Sequence, residues 1–279
     1  MGRELALELA RRRCDLALCD INDLGLEQTV TQARALGVMV TSARVDVAER
    51  QAVFTWAEQV EHQHGRVNLV FNNAGVGLGS TLEAVSRQEF EWIMGVNFWG
   101  VVHGTQAFLP YLKASGEGHV VNTSSLFGLI AFPGTGPYNA SKFAVRGYTE
   151  ALRMELDMMK VGVSATCVHP GGVRTDIARS SRINGSTSAL FGQNERAMRD
   201  NFDKLLSTTS PQKAALAILR GVARNRRRVV IGPDARFLHF LERLFGGLYQ
   251  PILTSAVRRF GKSSPPAVFE PRDSQGEGG

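Results

Sequence analysis

The chain has 279 residues, 43% of them hydrophobic, enough to bury one large core without calling for a second domain. Its formal charge of +6 is uneven: from Pro211 onward 12 Lys and Arg stand against 5 Asp and Glu, leaving 20 against 21 before that point. A neutral body argues against a nucleic-acid surface, and no basic-then-apolar leader or run of about 18 apolar residues calls for a signal peptide or a spanning helix.

In chain order, the sequence opens on a helical pattern, MGRELALELA, with Leu5, Leu9 and Ala10 on one face, and passes into DLALCD, an apolar run ending in an acid. A helix over Leu24 to Leu36 follows, then the strand VMVTSARVDV and a helix from Glu49 to His64. VNLVFNNAG leads to a helical pattern from Ser86 to Ser115, GHVVNTSS to one from Tyr138 to Lys160, and VGVSATCVHPGG and NRRRVVIGPD read as later strands. Such alternation predicts parallel strands joined by right-handed crossovers, a doubly wound α/β sheet with helices on both faces. Ligands bind such sheets at the carboxyl ends of the strands. Those ends carry Asp20, Asp46, Asn72 to Gly75, Ser125 and Pro170 to Gly172.

NNAG, a Ser thirteen residues before a Tyr, YNASK, and PGG followed by Thr175 resemble the short-chain dehydrogenase/reductase family, over roughly Gly2 to Ile231. The resemblance implies a Rossmann-like fold and hydride transfer between a hydroxyl-bearing carbon and a nicotinamide. That chemistry needs a group that exchanges the hydroxyl proton and a group that holds the substrate oxygen. Tyr138 is the expected acid/base. Lys142 lies four residues on, on the same helix face, where its ammonium is expected to lower the phenol and reach the cofactor ribose. Ser125 is expected to hold the substrate oxygen, and Asn97 to position a water that relays protons. Ser124 competes with Ser125 as an ordinary loop serine, and the spacing to Tyr138 selects Ser125.

For the cofactor, the resemblance implies contacts from Gly2, Asp20, Asp46, Val47, Asn73, Ala74, Gly75, Tyr138, Lys142, Pro170, Gly171, Val173 and Thr175. NNAG also reads as a tight turn, since Asn and Gly tolerate left-handed backbone. An acid at Asp20 accepts from ribose hydroxyls and repels a 2′-phosphate, so NAD is favoured over NADP. Gly2 matches only the last glycine of the family's phosphate-binding turn, so the sheet is expected to lack its first strand. A second function class follows from that: a non-catalytic nucleotide-binding or regulatory protein of the same fold.

Gly77, Leu78, Leu126, Phe127, Ile130, Phe132 and Phe191 are candidate pocket residues and favour a hydrophobic alcohol or ketone. His103, His119 and His169 show no ligand spacing, and Cys14, Cys19 and Cys167 form no metal-binding pair, so no metal is expected and a reducing, cytoplasmic setting is. Trp56, Trp92 and Trp99 read as packing residues. The expected organisation is an oxidoreductase domain over 1–232 with a substrate lid at about 174–210, a helical extension over 233–262, a disordered tail over 263–279, and a homodimer or homotetramer. In the extension, Phe237, Leu241, Leu244, Leu248 and Ile252 recur at helical spacing, with Arg226 to Arg228, Arg258 and Arg259 at its flanks. It can dock on an acidic membrane surface, close the pocket or cover a neighbouring subunit; the breaks at Gly246, Gly247 and Pro251 favour packing.

Overall fold

The structure, a computed structural model, describes residues 1–175, 177–194, 196, 197 and 208–260. The expected tail, and residues 176, 195 and 198–207 of the expected lid, therefore lie outside the described residues.

The chain begins with α1 (Gly2–Arg11), β1 (Leu16–Asp20), α2 (Asp23–Arg34), β2 (Val40–Arg44), α3 (Arg50–His64) and β3 (Leu69–Asn72). After a two-residue strand β4 (Leu78–Gly79) come α4 (Arg87–Met94), a π turn (Gly95–Trp99), α5 (Gly100–Ala114) and β5 (Gly118–Thr123). A 3-10 turn (Leu126–Gly128) precedes α6 (Gly136–Met159) and β6 (Val163–Pro170), followed by α7 (Ile177–Ser180), β7 (Arg182–Ile183) and α8 (Gly185–Phe191). The described chain closes with α9 (Pro211–Ala223), β8 (Arg228–Ile231), α10 (Pro233–Phe245), a 3-10 turn (Gly246–Leu248) and α11 (Tyr249–Phe260).

Local chemistry sets several of these boundaries. Asn22 caps α2 by accepting from the Gly25 amide at 3.1 Å, and Ser86 and Glu89 form a reciprocal capping box at α4. Ser210 and Pro211 start α9 in the same manner. The single helix expected over Ser86 to Ser115 is instead two α-helices joined by the π turn, and Asn97 sits in that turn.

The main sheet is parallel, in the order β3-β5-β6-β8, and β1 and β2 form a second parallel pair. Among the described residues no strand lies between β1 and β3, and no ladder bond joins them. Burial follows this division. β5 is buried along nearly its whole length, whereas β1 and β3 are mostly half-buried. Alternation along β5 sends Val121 into the core beneath α1, α2 and α9, and Val120 into the core beneath α3, α5 and α6. The strand ends are thereby fixed from both faces, and the candidate residues lie at those ends.

Candidate active site

The centre of the site is built by α6 crossing the end of β5. Tyr138 lies in the first turn of α6 and Lys142 one turn later, so both point to the same side. Lys142 is only 3% exposed, and its Nζ donates to the Thr123 carbonyl at the end of β5 at 3.1 Å. The same Nζ stands 5.7 Å from the centre of the Tyr138 ring. Burial lowers Lys142 from its ordinary 10.5 to about 8, so at neutral pH the group is a buried cation.

Tyr138 departs from expectation. Burial raises its pKa, and the hydrogen bond with the Ser125 side chain opposes that rise; Lys142 is not among the groups acting on it. The physical reason is geometric: the ammonium is turned to the Thr123 carbonyl and lies over the ring rather than against the hydroxyl.

The two adjacent serines have separate partners. Ser124, 2% exposed, donates to the Lys142 carbonyl at 2.7 Å and ties β5 to α6. Ser125 caps the following 3-10 turn, accepting from the Phe127 amide at 3.1 Å, and reaches Tyr138. The Ser125 carbonyl is held by His169 Nδ1 at 3.0 Å. Burial lowers His169 to about 3, so it stays a neutral ring. His103 and His119 also have single polar partners, the Val47 carbonyl and the Thr166 hydroxyl.

Asn97 is fully buried. Its Oδ1 accepts from the Val76 amide at 2.8 Å, while Nδ2 donates to the Val76 carbonyl at 3.0 Å and to Ser141 Oγ at 3.1 Å. The side chain therefore clamps the turn after β3 to α6. Gly75 fits between the clamp and the lysine: a methyl there would stand 3.2 Å from Asn97 Oδ1 and 3.4 Å from Lys142 Nζ.

The remaining candidates form a rim. In NNAG, Asn72 is structural, donating to Thr105 Oγ1 at 3.1 Å and to Asn122 Oδ1 at 2.8 Å, whereas Asn73 keeps a buried Oδ1 with no partner. Asn73 Nδ2 comes within 2.9 Å of where a Gly2 side chain would start, which joins α1 to this turn; Ala74 is exposed. Asp20 is exposed at the end of β1, with Oδ1 accepting from the Asn22 amide at 3.0 Å. Asp46 Oδ1 accepts from the Ala48 amide at 2.9 Å, and Val47 packs under Gly100. At the far side Pro170 ends β6, Val173 bridges to Thr209, and Thr175 is half-buried.

Two contributors escaped sequence reasoning. Arg44 lies directly opposite Asp20 in the parallel register and makes a 3.4 Å ion pair with Asp23. Asp234, in the first turn of α10, accepts from the Gly172 amide at 2.7 Å and from Thr208 Oγ1 at 3.2 Å, and its carboxylate packs on Gly171, where a side chain would have to displace it. The signal for Asp234 was present in GPD, a proline start with an acid in the first helical turn.

Aromatic rings line the approach to Tyr138. Phe127 meets the Tyr138 ring edge-on at 6.2 Å and stacks on Phe132 at 5.4 Å, which stacks on Phe191 at 6.3 Å. Leu126 and Ile130 are buried behind them, and Leu78 is held in the β4–β7 pair beside Gly77. Trp56 packs on Phe108, Trp92 carries Arg182 over its ring, and Trp99, half exposed, stacks on His103 at 6.0 Å.

A Ser, a Tyr and a Lys thus meet at the end of a parallel strand, above a turn closed by a buried Asn. The family model for short chain dehydrogenase matches residues 1–185. The chain belongs to the short-chain dehydrogenase family. This dehydrogenase-family chain is 46% identical over 260 residues to a Mycobacterium tuberculosis protein named as oxidoreductase SadH, covering 93% of this chain and 92% of that one. It is 36% identical over 221 residues to a 3-ketodihydrosphingosine reductase of Bacteroides thetaiotaomicron, covering 76% and 77%. Among solved structures it superposes with a TM-score of 0.79, at 30% identity and over 89% and 90% of the two chains, on a short-chain dehydrogenase/reductase from Burkholderia phymatum in complex with NAD. The chain is an oxidoreductase with the Rossmann-like α/β fold of that family.

Proposed function

We propose that this oxidoreductase interconverts a hydroxyl and a carbonyl on a hydrophobic small molecule, with NAD as hydride carrier. The observation that carries the reading is the meeting of Ser125, Tyr138 and Lys142 at the end of β5 with Asn97 clamped behind them. A protein of this fold released from catalysis has no need to bury an ammonium there, which sets the non-catalytic alternative second.

The residues fit NAD on their own chemistry. Asn73 offers a buried oxygen without a partner, Gly75 leaves room beside Lys142, and Asp20 presents an exposed carboxylate at the strand end. Asp20, Asp46 and Val47 would hold the adenosine side, Gly2 and the first turn of α1 the diphosphate, and Asn73, Ala74, Gly75 and Lys142 the nicotinamide ribose. Pro170, Gly171, Val173 and Thr175 would hold the nicotinamide end. The bound cofactor supplies or accepts the hydride. The Burkholderia phymatum neighbour is in complex with NAD, and the Asp20 carboxylate disfavours a 2′-phosphate.

In the reducing direction, Tyr138 gives its proton to the substrate oxygen. Burial keeps that phenol protonated at neutral pH, which suits a donor. Ser125 donates to the same oxygen as charge develops on it. Lys142, charged below about pH 8, would hold the nicotinamide ribose beside Tyr138. The Phe127, Phe132 and Phe191 rings favour an apolar carbonyl compound, and a relative is named 3-ketodihydrosphingosine reductase. Exposed Phe143, Met154 and Met158 on one side of α6 support a homodimer or homotetramer.

Tyr138→Phe tests the assignment. Turnover of an apolar ketone should fall at least about a hundredfold while NAD titration stays within about threefold of the parent. Turnover within tenfold of the parent would sink it.

A further inference from the structure

The extension over α10 and α11 has two faces. Its inner face is seated on the body: Ala235 is fully buried with Leu126 and Ile130, Leu238 and Tyr249 pack against them, and Tyr249 OH accepts from the Ala131 amide at 2.8 Å. Gly246 and Gly247 do not break the chain away; they form a single 3-10 turn between two helices. The outer face is apolar and exposed. Phe237 is 60% exposed, Phe240 61%, Leu244 61% and Leu248 65%.

At about 100° per residue, Phe237, Phe240 and Leu244 fall within a sector of about 60° on α10, and Arg236 and Arg243 lie along one edge of it. Both arginines are exposed. Ala235, Leu238 and Glu242 lie on the opposite side, and Glu242 is turned to His239 at 3.5 Å. From Ala235 to Phe260 the chain carries one acid, Glu242, against Arg236, Arg243, Arg258 and Arg259. An apolar row edged by arginines, with no acid exposed among the described residues of this stretch, complements an anionic, hydrocarbon-backed surface. A second copy meeting the same face would offer Arg236 and Arg243 no exposed carboxylate from the described residues of this stretch. Among the described residues no helix is long and apolar enough to cross a membrane, so contact through this face would be lateral.

We propose that the outer face of α10 and the adjoining turn docks the protein on the surface of a lipid bilayer carrying anionic headgroups. Phe237, Phe240, Leu244 and Leu248 enter the headgroup boundary, and Arg236 and Arg243 meet the phosphates. Because Tyr249 is bonded to Ala131, next to Phe132, the docked face lies close to the aromatic approach to Tyr138. The docking does not depend on the catalytic reading, and its test uses no turnover.

The full chain is sedimented with vesicles of phosphatidylcholine alone and of phosphatidylcholine with phosphatidylglycerol. The expected result is binding at least about tenfold tighter to the anionic vesicles, weakened by salt. Phe240→Ser with Leu244→Ser should lower that binding at least about tenfold, with the thermal midpoint within a few degrees of the parent because both side chains are exposed. If that pair fails to fold, Arg236→Ser with Arg243→Ser is read instead and should abolish the preference for anionic vesicles. Absence of binding to either vesicle, or equal binding to both, overturns the proposal. So does a parent assembly in solution that the Phe240 and Leu244 pair reduces in size, since a second copy would then cover the face.

Discussion

Replacing Lys142 by Met separates the stability of this site from its chemistry. Met nearly conserves the volume of the side chain and removes the buried charge. Burial takes the lysine from 10.5 to about 8, and at about 1.4 kcal/mol per pH unit the drop amounts to about 3 kcal/mol. The folded value lies below the unfolded one, so the cost is fully present below pH 8 and shrinks as pH rises from 8 toward 10.5. Against this stands the hydrogen bond to the Thr123 carbonyl, whose loss costs about 1 to 2 kcal/mol. The Lys142→Met chain should therefore be more stable than the parent by about 1 to 2 kcal/mol at pH 7, with a thermal midpoint about 2 to 6 °C higher. The advantage should vanish near pH 10, and turnover should fall at least about a hundredfold. The assay is calorimetric unfolding of both chains at pH 7 and pH 10. A variant less stable than the parent at pH 7, or a difference that does not change with pH, would refute the reasoning.

Asp20→Ala should weaken NAD at least about tenfold, since it removes a charged acceptor. With the Asp20 carboxylate removed and Arg44 still opposite that position in the register, the same change should bring NADP binding nearer to that of NAD; titration with both nucleotides reads it, and an unchanged ratio places selectivity elsewhere. Asp234→Ala removes the acceptor for the Gly172 amide and the Thr208 hydroxyl and should cost about 1.5 to 3 kcal/mol in urea unfolding. A loss under about 0.5 kcal/mol would mean that the Gly171–Gly172 turn holds itself.

What the sequence determined by itself is local or periodic. Tyr138 and Lys142 share a face because four residues make about one helical turn, and strand ends rich in Asp, Asn, Ser and Gly mark the ligand edge of a parallel sheet. The spacing selected Ser125 over Ser124, and the geometry gives the two serines different partners because successive residues at a strand end point to opposite sides. Tertiary structure alone decided the rest. Arg44 faces Asp20 across 24 residues, and Asp234 grips Gly172 across 62, distances over which no local propensity acts. It also reversed the expected direction for Tyr138. A phenol beside a lysine in sequence suggests a lowered pKa, but the sign depends on how much water remains and where the ammonium points, and both are set by packing among elements far apart in the chain.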